Sequence, residues 1–457
     1  MRRWTGGAIA VLAGGLIGAT DLAAGLGLDE AQRVALAIVI IAGTLWITEA
    51  IPIYTTSLLV LLLSLVWLRP AMAEAPPPSA FTEPFFSDVI LLFLGGFVLA
   101  AALRKYRIDE ILARGVIRRS GASVPRLMAG VLLITAFLSM WLSNTATAAM
   151  MLTLVYPILR LLPNNPNARR ALVLCVPFGA NIGGLGTPIG SPPNAIAMQY
   201  LRGIGHAPGF VTWIAMSWPV MLVMLVAAWA LLISLFGGRG ARIDELPEQQ
   251  PVELSGQSYL AIGVTLLTVA GWLTGDLHGF STGTVALVPV IVLFGAGVLN
   301  RQDFRTLSWD ILILMGGGLC LGVTMGASGL AEWLVAQIPA DAVGMVGLIA
   351  IIAVVACVMS SLMSNTATAN LLMPIAIGVA AGDPSLALVS IAFACSLAMA
   401  LPISTPPNAI AFGSGEISTA DMFKSGLALT AAGVVLVVVA SALWWPIFPA
   451  MQPGGGP

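Results

Sequence analysis

Ser143-Asn144-Thr145-Ala146-Thr147-Ala148 is a short polar string inside a long apolar stretch, and it returns as Ser364-Asn365-Thr366-Ala367-Thr368-Ala369. Each copy is followed by a second shared string, Pro192-Pro193-Asn194-Ala195-Ile196-Ala197 and Pro406-Pro407-Asn408-Ala409-Ile410-Ala411. Unpaired amides and hydroxyls are costly in hydrocarbon, so at membrane depth they line a cavity or find partners within the protein. Two matched sets predict a duplicated membrane protein with one composite polar site at its centre.

The duplication keeps its register well beyond these strings. Asp88-Val89-Ile90-Leu91-Leu92 aligns with Asp310-Ile311-Leu312-Ile313-Leu314 at an offset of 222, and Gly95-Gly96 with Gly317-Gly318. Glu110 meets Glu332 at the same offset, and the polar strings follow at 221 and 214. Composition sets the class. With 58% hydrophobic and 9% charged residues over 457 positions, the chain is too apolar for a soluble protein of its size. A net charge of −1 and the lack of a basic tract give no reason to expect nucleic acid as a partner. Cys175, Cys320, Cys357 and Cys395 all fall in apolar runs without metal-ligand spacing and read as packing residues.

The apolar runs are long and rich in Leu and Ala, which predicts an all-α polytopic membrane protein. About 11 transmembrane helices plus two re-entrant hairpins account for them, in two inverted-topology repeats. Spans are expected near residues 5–26, 31–50, 52–69 and 86–104, followed by an amphipathic stretch ending near Gly121. The first span begins after Met1-Arg2-Arg3 and reads as a membrane helix rather than a cleaved leader. A first hairpin (123–142 and 147–163), a helix from about 170 broken at residues 181–188, and a long span at 209–236 complete the first half. The polar segment from Gly237 to Gln257 is the linker. The second half repeats the order: spans at 258–275, 282–299 and 309–328, a hairpin (343–362 and 367–381), a broken helix at 385–412 and a final span at 425–449.

Basic residues set the orientation. With a cytoplasmic N-terminus, 17 of the 20 Lys and Arg fall on the inner side, leaving Arg33, Arg69 and Arg202 outside. This bias requires each Ser-Asn-Thr string to sit at the tip of a hairpin that enters and leaves on one face. The first hairpin, flanked by Arg118, Arg119, Arg126, Arg169 and Arg170, opens inward and the second outward. Repeats inverted in this way are typical of secondary transporters.

At such a tip the returning arm presents unpaired N–H groups and its positive dipole end to the membrane centre, which is an anion site without a basic residue. Two facing tips suit an anion with a carboxylate at each end. No Lys or Arg lies inside any polar string. A dianion in a low-dielectric interior requires compensation, and co-bound small cations on oxygen ligands supply it. Asp88, Asp310 and Glu49 read as residues that end or cap helices.

The paired Ser-Asn-Thr strings, Thr48-Glu49-Ala50-Ile51-Pro52 and Ser404-Thr405-Pro406-Pro407-Asn408 resemble the divalent anion/sodium symporter family, which includes bacterial dicarboxylate carriers and mammalian citrate carriers. The likeness implies an elevator-type transporter working as a homodimer in the bacterial cytoplasmic membrane. It implies scaffold parts at 1–121 and 257–342, and transport-domain parts at 122–256 and 343–457. The resemblance assigns substrate contacts to Ser143, Asn144, Thr145, Ser191 and Pro192 in the first half. In the second half the matching contacts are Ser364, Asn365, Thr366, Thr405 and Pro406. It implies one Na⁺ site at Ser139, Ser143, Asn144 and the Gly190 backbone. The other uses Ser360, Asn365 and the carbonyls of Met363 and Ser404, with Met363 bulkier than the residue often found there. The stretches 104–119 and 326–340 resemble the arms that brace the moving part.

Among rival readings, an intramembrane enzyme lacks a Ser/His or paired-Asp constellation at membrane depth, and His206 and His278 fall in outer loops. A channel fits broken helices and enclosed polar pockets poorly. A Na⁺/proton exchanger calls for carboxylates at the breaks, and the duplicated strings contain none. The expected cargo is a C4-dicarboxylate such as succinate, malate or fumarate, with citrate, tartrate and sulfate as alternatives. Na⁺ is the expected co-transported ion, with Na⁺-independent dicarboxylate exchange as the alternative mode.

Overall fold

The computed structural model describes residues 14–15, 27–206, 208–237, 253–336, 344–379 and 383–451. Most of the expected first span, most of the linker and the end of the second amphipathic stretch lie outside the described residues. The described chain is helical, and its principal helices fall into two sets of nine. The first set is α1 (Glu30–Thr48), α2 (Ile53–Leu63), α3 (Asp88–Lys105), α4 (Ile108–Ser120), α5 (Val124–Ser139), α6 (Asn144–Leu159), α7 (Pro166–Gly183), α8 (Pro192–Gly203) and α9 (Phe210–Phe236). The second is α10 (Gly256–Leu273), α11 (Thr282–Gly295), α12 (Trp309–Ala327), α13 (Leu330–Ala336), α14 (Met345–Leu362), α15 (Asn365–Val379), α16 (Ser385–Leu397), α17 (Pro406–Phe412) and α18 (Thr419–Leu443). Each helix thus has a counterpart nine places later. Among the described residues eight helical segments are long and apolar enough to cross a membrane.

Local chemistry sets where these helices start. Ser143 and Ser364 are N-caps, their hydroxyls accepting from the N–H groups of Ala146 (3.3 Å) and Ala367 (3.1 Å). The returning arms therefore begin at Asn144 and Asn365, three and two residues earlier than expected, so each Asn-Thr pair lies in a helical first turn. A capping box between Ser418 and Asp421 likewise starts the last helix at Thr419 rather than 425. Pro192 and Pro406 occupy first-turn positions, where a missing N–H costs nothing, so α8 and α17 restart after each break. Between α1 and α2 the chain turns at Glu49, which is left-handed (φ 46°), and the turn is pinned by the Trp46 indole donating to the Ile53 carbonyl (3.2 Å).

The packing follows the duplication. α3 lies along α11 and α2 along α12, each a contact between halves. Within each half the hairpin, the broken helix and the long last helix pack together, and the halves interlock through α8 with α15 and α16 and through α17 with α6 and α7. Gly183 lets α7 press against the backbone of α5 at Ala136, where a Cβ would overlap it. Long-range ion pairs tie the two ends of the bundle: Lys105–Asp303, Arg169–Glu416 and Arg170–Asp421 at one, and Arg202–Asp88 at the other, where His206 Nε2 also lies 3.4 Å from the Asp383 carboxylate. Asp88, expected as a span-end residue, also accepts from Ser281, Thr282 and the Gly283 N–H.

Candidate functional site

The two Ser-Asn-Thr tips and the two helix breaks meet at a single cavity of about 730 Å³. Ser143, Asn144 and Thr145 line it from one hairpin, and Ser364, Asn365 and Thr366 from the other. Ser191 and Pro192 at the first break, and Thr405 and Pro406 at the second, complete the polar half of the wall. All ten residues expected at the substrate therefore reach one space. The facing wall is apolar, built by Phe93 and Phe97 of α3, Ile53 of α2, and Ile311 and Leu314 of α12. No Lys, Arg or His is among the lining residues, and Glu49 is the one ionisable group. An anion in this cavity would meet helix starts and neutral donors rather than a cationic side chain.

The tips are built alike. Ser139 in the last turn of α5 donates to Asn144 Oδ1 (2.6 Å) and lies 2.8 Å from the Ala180 carbonyl. Ser360 in α14 makes the same pair, 2.7 Å to Asn365 Oδ1 and 3.0 Å to the Cys395 carbonyl. Ser139 and Ser360 are fully buried behind the cavity wall, whereas Gly190, Met363 and Ser404 line it. Each tip therefore brings one serine hydroxyl within hydrogen-bonding reach of both an asparagine amide oxygen and a backbone carbonyl, that of Ala180 or Cys395. That is an oxygen set of the kind hard cations take.

The breaks explain which carbonyls are available. Asn194 Nδ2 donates to the carbonyls of Gly184 (2.8 Å) and Thr187 (2.9 Å). The Trp213 indole takes Leu185 (3.1 Å) and the Ser217 hydroxyl Gly186 (3.2 Å). In the second half Asn408 Nδ2 donates to Met399 (3.0 Å) and Leu401 (2.9 Å), while the Thr430 hydroxyl takes Leu397 (2.9 Å). Among the described residues no protein donor meets the carbonyls of Gly190, Met363 or Ser404. The family resemblance assigns these three backbone oxygens to Na⁺, and other carbonyls at the breaks, such as those of Ile189 and Ile403, are likewise without a protein donor among the described residues.

Several residues escaped the sequence reading. Asn181 crosses between the halves, donating to Thr405 Oγ1 (3.1 Å) and Asn408 Oδ1 (3.0 Å), and it also lines the cavity. Asn194 and Asn408 were visible in the duplicated Pro-Pro-Asn strings, but their role as braces of each break was not. Glu49, expected only as a cap, stands at the C-cap of α1 and exposes its carboxylate to the cavity. The apolar wall had no sequence signal, because Phe93 and Ile311 look like any other membrane-helix residues.

Comparison with known proteins places the chain in a family. The citrate transporter family matches residues 44–394. The sodium-dependent dicarboxylate transporter SdcS of Staphylococcus aureus, in strains MSSA476 and MW2, is 33% identical over 456 residues, covering 90% of this chain and 86% of that protein. Among solved structures, the Alcanivorax borkumensis YdaH transporter superposes with a TM-score of 0.58 at 14% identity, covering 89% of this chain and 99% of that one. Neisseria gonorrhoeae MtrF gives 0.57 at 11% identity, covering 86% and 94%. These two likenesses establish a shared transporter fold alone. The protein is therefore an integral membrane protein that belongs to the citrate and dicarboxylate transporter family, the divalent anion/sodium symporters.

Proposed function

We propose that the protein is a secondary active transporter that carries a C4-dicarboxylate together with Na⁺ across the bacterial cytoplasmic membrane. Succinate, malate and fumarate are the leading cargoes. The observation that carries this reading is the meeting of both hairpin tips, Asn144 and Asn365, at one cavity without a cationic side chain. Each tip offers first-turn N–H groups to one carboxylate, and the Ser-Asn-carbonyl sets beside them hold the sodium ions that offset the dianion's charge. One site comprises Ser139, Ser143, Asn144 and Gly190, and the other Ser360, Met363, Asn365 and Ser404. The sodium-dependent relative supports Na⁺ as the coupling ion.

The transport domain comprises 122–256 and 343–457, and it moves as an elevator against a scaffold of 1–121 and 257–342 in a homodimer. The ion pairs support this topology, since each joins segments that the inverted-repeat reading places on the same side of the membrane. With the N-terminus cytoplasmic, Thr48, Glu49, Ile53 and Ile311 lie at the inner ends of their helices, so the cavity opens inward.

Uptake of labelled succinate into proteoliposomes tests the reading, with Na⁺ or K⁺ outside and with empty or succinate-loaded interiors. Uptake into empty vesicles with Na⁺ alone is the expected result. Uptake that requires internal succinate and ignores Na⁺ replaces symport with exchange.

A further inference from the structure

The duplicated strings part at one position. After six identical residues the first copy continues with Ala149 and the second with Asn370. These residues occupy matching places on the returning arms α6 and α15, yet their surroundings are opposite. Asn370 is fully buried, and its Nδ2 donates to the Leu314 carbonyl of α12 at 2.9 Å. A Cβ at Gly318 would overlap the Asn370 amide, so glycine is what lets the arm dock there. One turn along α12, the Tyr200 hydroxyl of α8 donates to the Gly318 carbonyl (3.1 Å). Ala149 instead is exposed, as are Thr145, Thr153 and Tyr156 on the same face of α6. In the first half the place of Gly318 is taken by Gly96 of α3, where a Cβ would make only ordinary contact with Ile189.

In an inverted repeat, exchanging the packing of the two halves yields the opposite access state. The α15–α12 contact present here therefore has a counterpart, α6 on α3, that is absent here. We propose that Asn370 is a positioning residue that biases the carrier toward the conformation observed. In the opposite conformation the face of α6 bearing Ala149 docks on α3 at Gly96 without a matching amide bond. The two states thus differ by a hydrogen bond written into one residue of an otherwise repeated string. Among the described residues Asn370 Oδ1 has no partner in the docked state, so the amide gives one good bond and one buried cost. The arm is held without being locked. This inference rests on the alternating-access reading given above.

Cross-linking tests it on the full chain in proteoliposomes. The double variant G96C/A149C is oxidised, and the remaining thiols are counted after denaturation against each single variant. Disulfide formation in the pair alone is expected, several-fold faster when Asn370→Ala is added. Tyr200→Phe leaves the packing intact and must act in the same direction, which covers the case of an Asn370 variant that does not fold. No cross-link in any background, or a rate that Asn370→Ala and Tyr200→Phe leave unchanged, overturns the proposal. Succinate uptake by the parent protein separates the two layers. Cross-linking without uptake removes the substrate assignment alone, and uptake without cross-linking removes the docking exchange alone.

Discussion

The returning arms of the two hairpins start with the same six residues and end in different places. α15 is buried along the face that carries Thr366, Asn370 and Pro374, packed on α12, α13 and α1. α6 leaves the same face open at Thr145, Ala149 and Thr153 and has no comparable packing on α3. The first arms reverse the pattern. α5 is shielded by α4, whereas α14 exposes Ile351, Val354, Val355 and Val358. Identical tips in unlike surroundings separate two functions of the sequence. On the reading proposed above, what is duplicated builds the site, and what differs sets which way the molecule rests.

The tips offer the strongest test of that division. Asn144→Ala and Asn365→Ala each remove an amide oxygen paired with a buried serine and a donor facing the cavity. At about 1–3 kcal/mol per lost contact, each substitution weakens the hold on cargo and ions by roughly tenfold to a hundredfold. Uptake is expected to vanish in both, with the protein still monodisperse in detergent. Near-normal uptake by either variant would place the site elsewhere.

A smaller contrast is expected at the breaks. Asn408 Nδ2 donates its two hydrogens to the Met399 and Leu401 carbonyls, with Ser404 Oγ 3.2 Å away, and its Oδ1 accepts from Asn181, so every polar atom of its amide is engaged. Asn194 makes the matching donations, but its Oδ1 has no partner among the described residues. The difference arises because the residue matching Asn181 in the second half is Ser396, whose short hydroxyl pairs with Ser191 (3.1 Å) and brings no amide to Asn194. Asn408→Ala is therefore expected to lower stability more than Asn194→Ala, by about 1 kcal/mol, the net worth of one hydrogen bond. Equal losses, read from denaturation midpoints, would show that the cross-half amide contributes nothing.

The site was legible in the sequence to the extent that it was duplicated. The strings around Asn144, Asn365, Asn194 and Asn408 repeat in register, and polar residues stand out against hydrocarbon-compatible neighbours. Helix starts were off by a few residues because the capping serines were read as part of the tip rather than as the residue before the helix. The apolar wall, the Asn181 crossing and the Asn370 docking were hidden for one reason. Each depends on which helix of the other group lies opposite, and a residue's own string does not carry that information. The change from Ala149 to Asn370 was visible, but without α12 beside it an extra asparagine reads as noise.

Glu49 marks a further inequality. It is the C-cap of α1, and its counterpart at the end of α10 is Thr274, so only one half brings a carboxylate to the cavity. Among the described residues nothing pairs with that carboxylate. A like charge in a water-filled cavity opposes a bound dianion by on the order of 1 kcal/mol. Glu49→Gln is thus expected to tighten succinate binding about fivefold, measured by calorimetry on the detergent-solubilised protein. Weaker binding would mean that Glu49 holds a cation instead.

The least effect belongs to the arms α4 and α13, where the halves differ in charge. The guanidinium of Arg107, and with it that of Arg114, holds Glu110 below the usual carboxylate range. Glu332, at the matching place, is exposed and has no ion pair among the described residues. A depressed folded-state pKa contributes stability that is present above the unfolded value and disappears as pH falls through the folded one. Glu110→Gln should therefore lower the unfolding midpoint at neutral pH and converge with the parent in acid. The step is about 0.3–0.5 kcal/mol, as solvent screening limits an i,i+4 pair such as that with Arg114. Glu332→Gln removes no ion pair among the described residues and should leave the midpoint at neutral pH where the parent has it. A pH-dependent step of equal size in both variants would mean that the acid on α13 finds a basic partner that the packing around it does not provide. The contrast between the arms would then end there, while the contrast between α6 and α15 would be untouched.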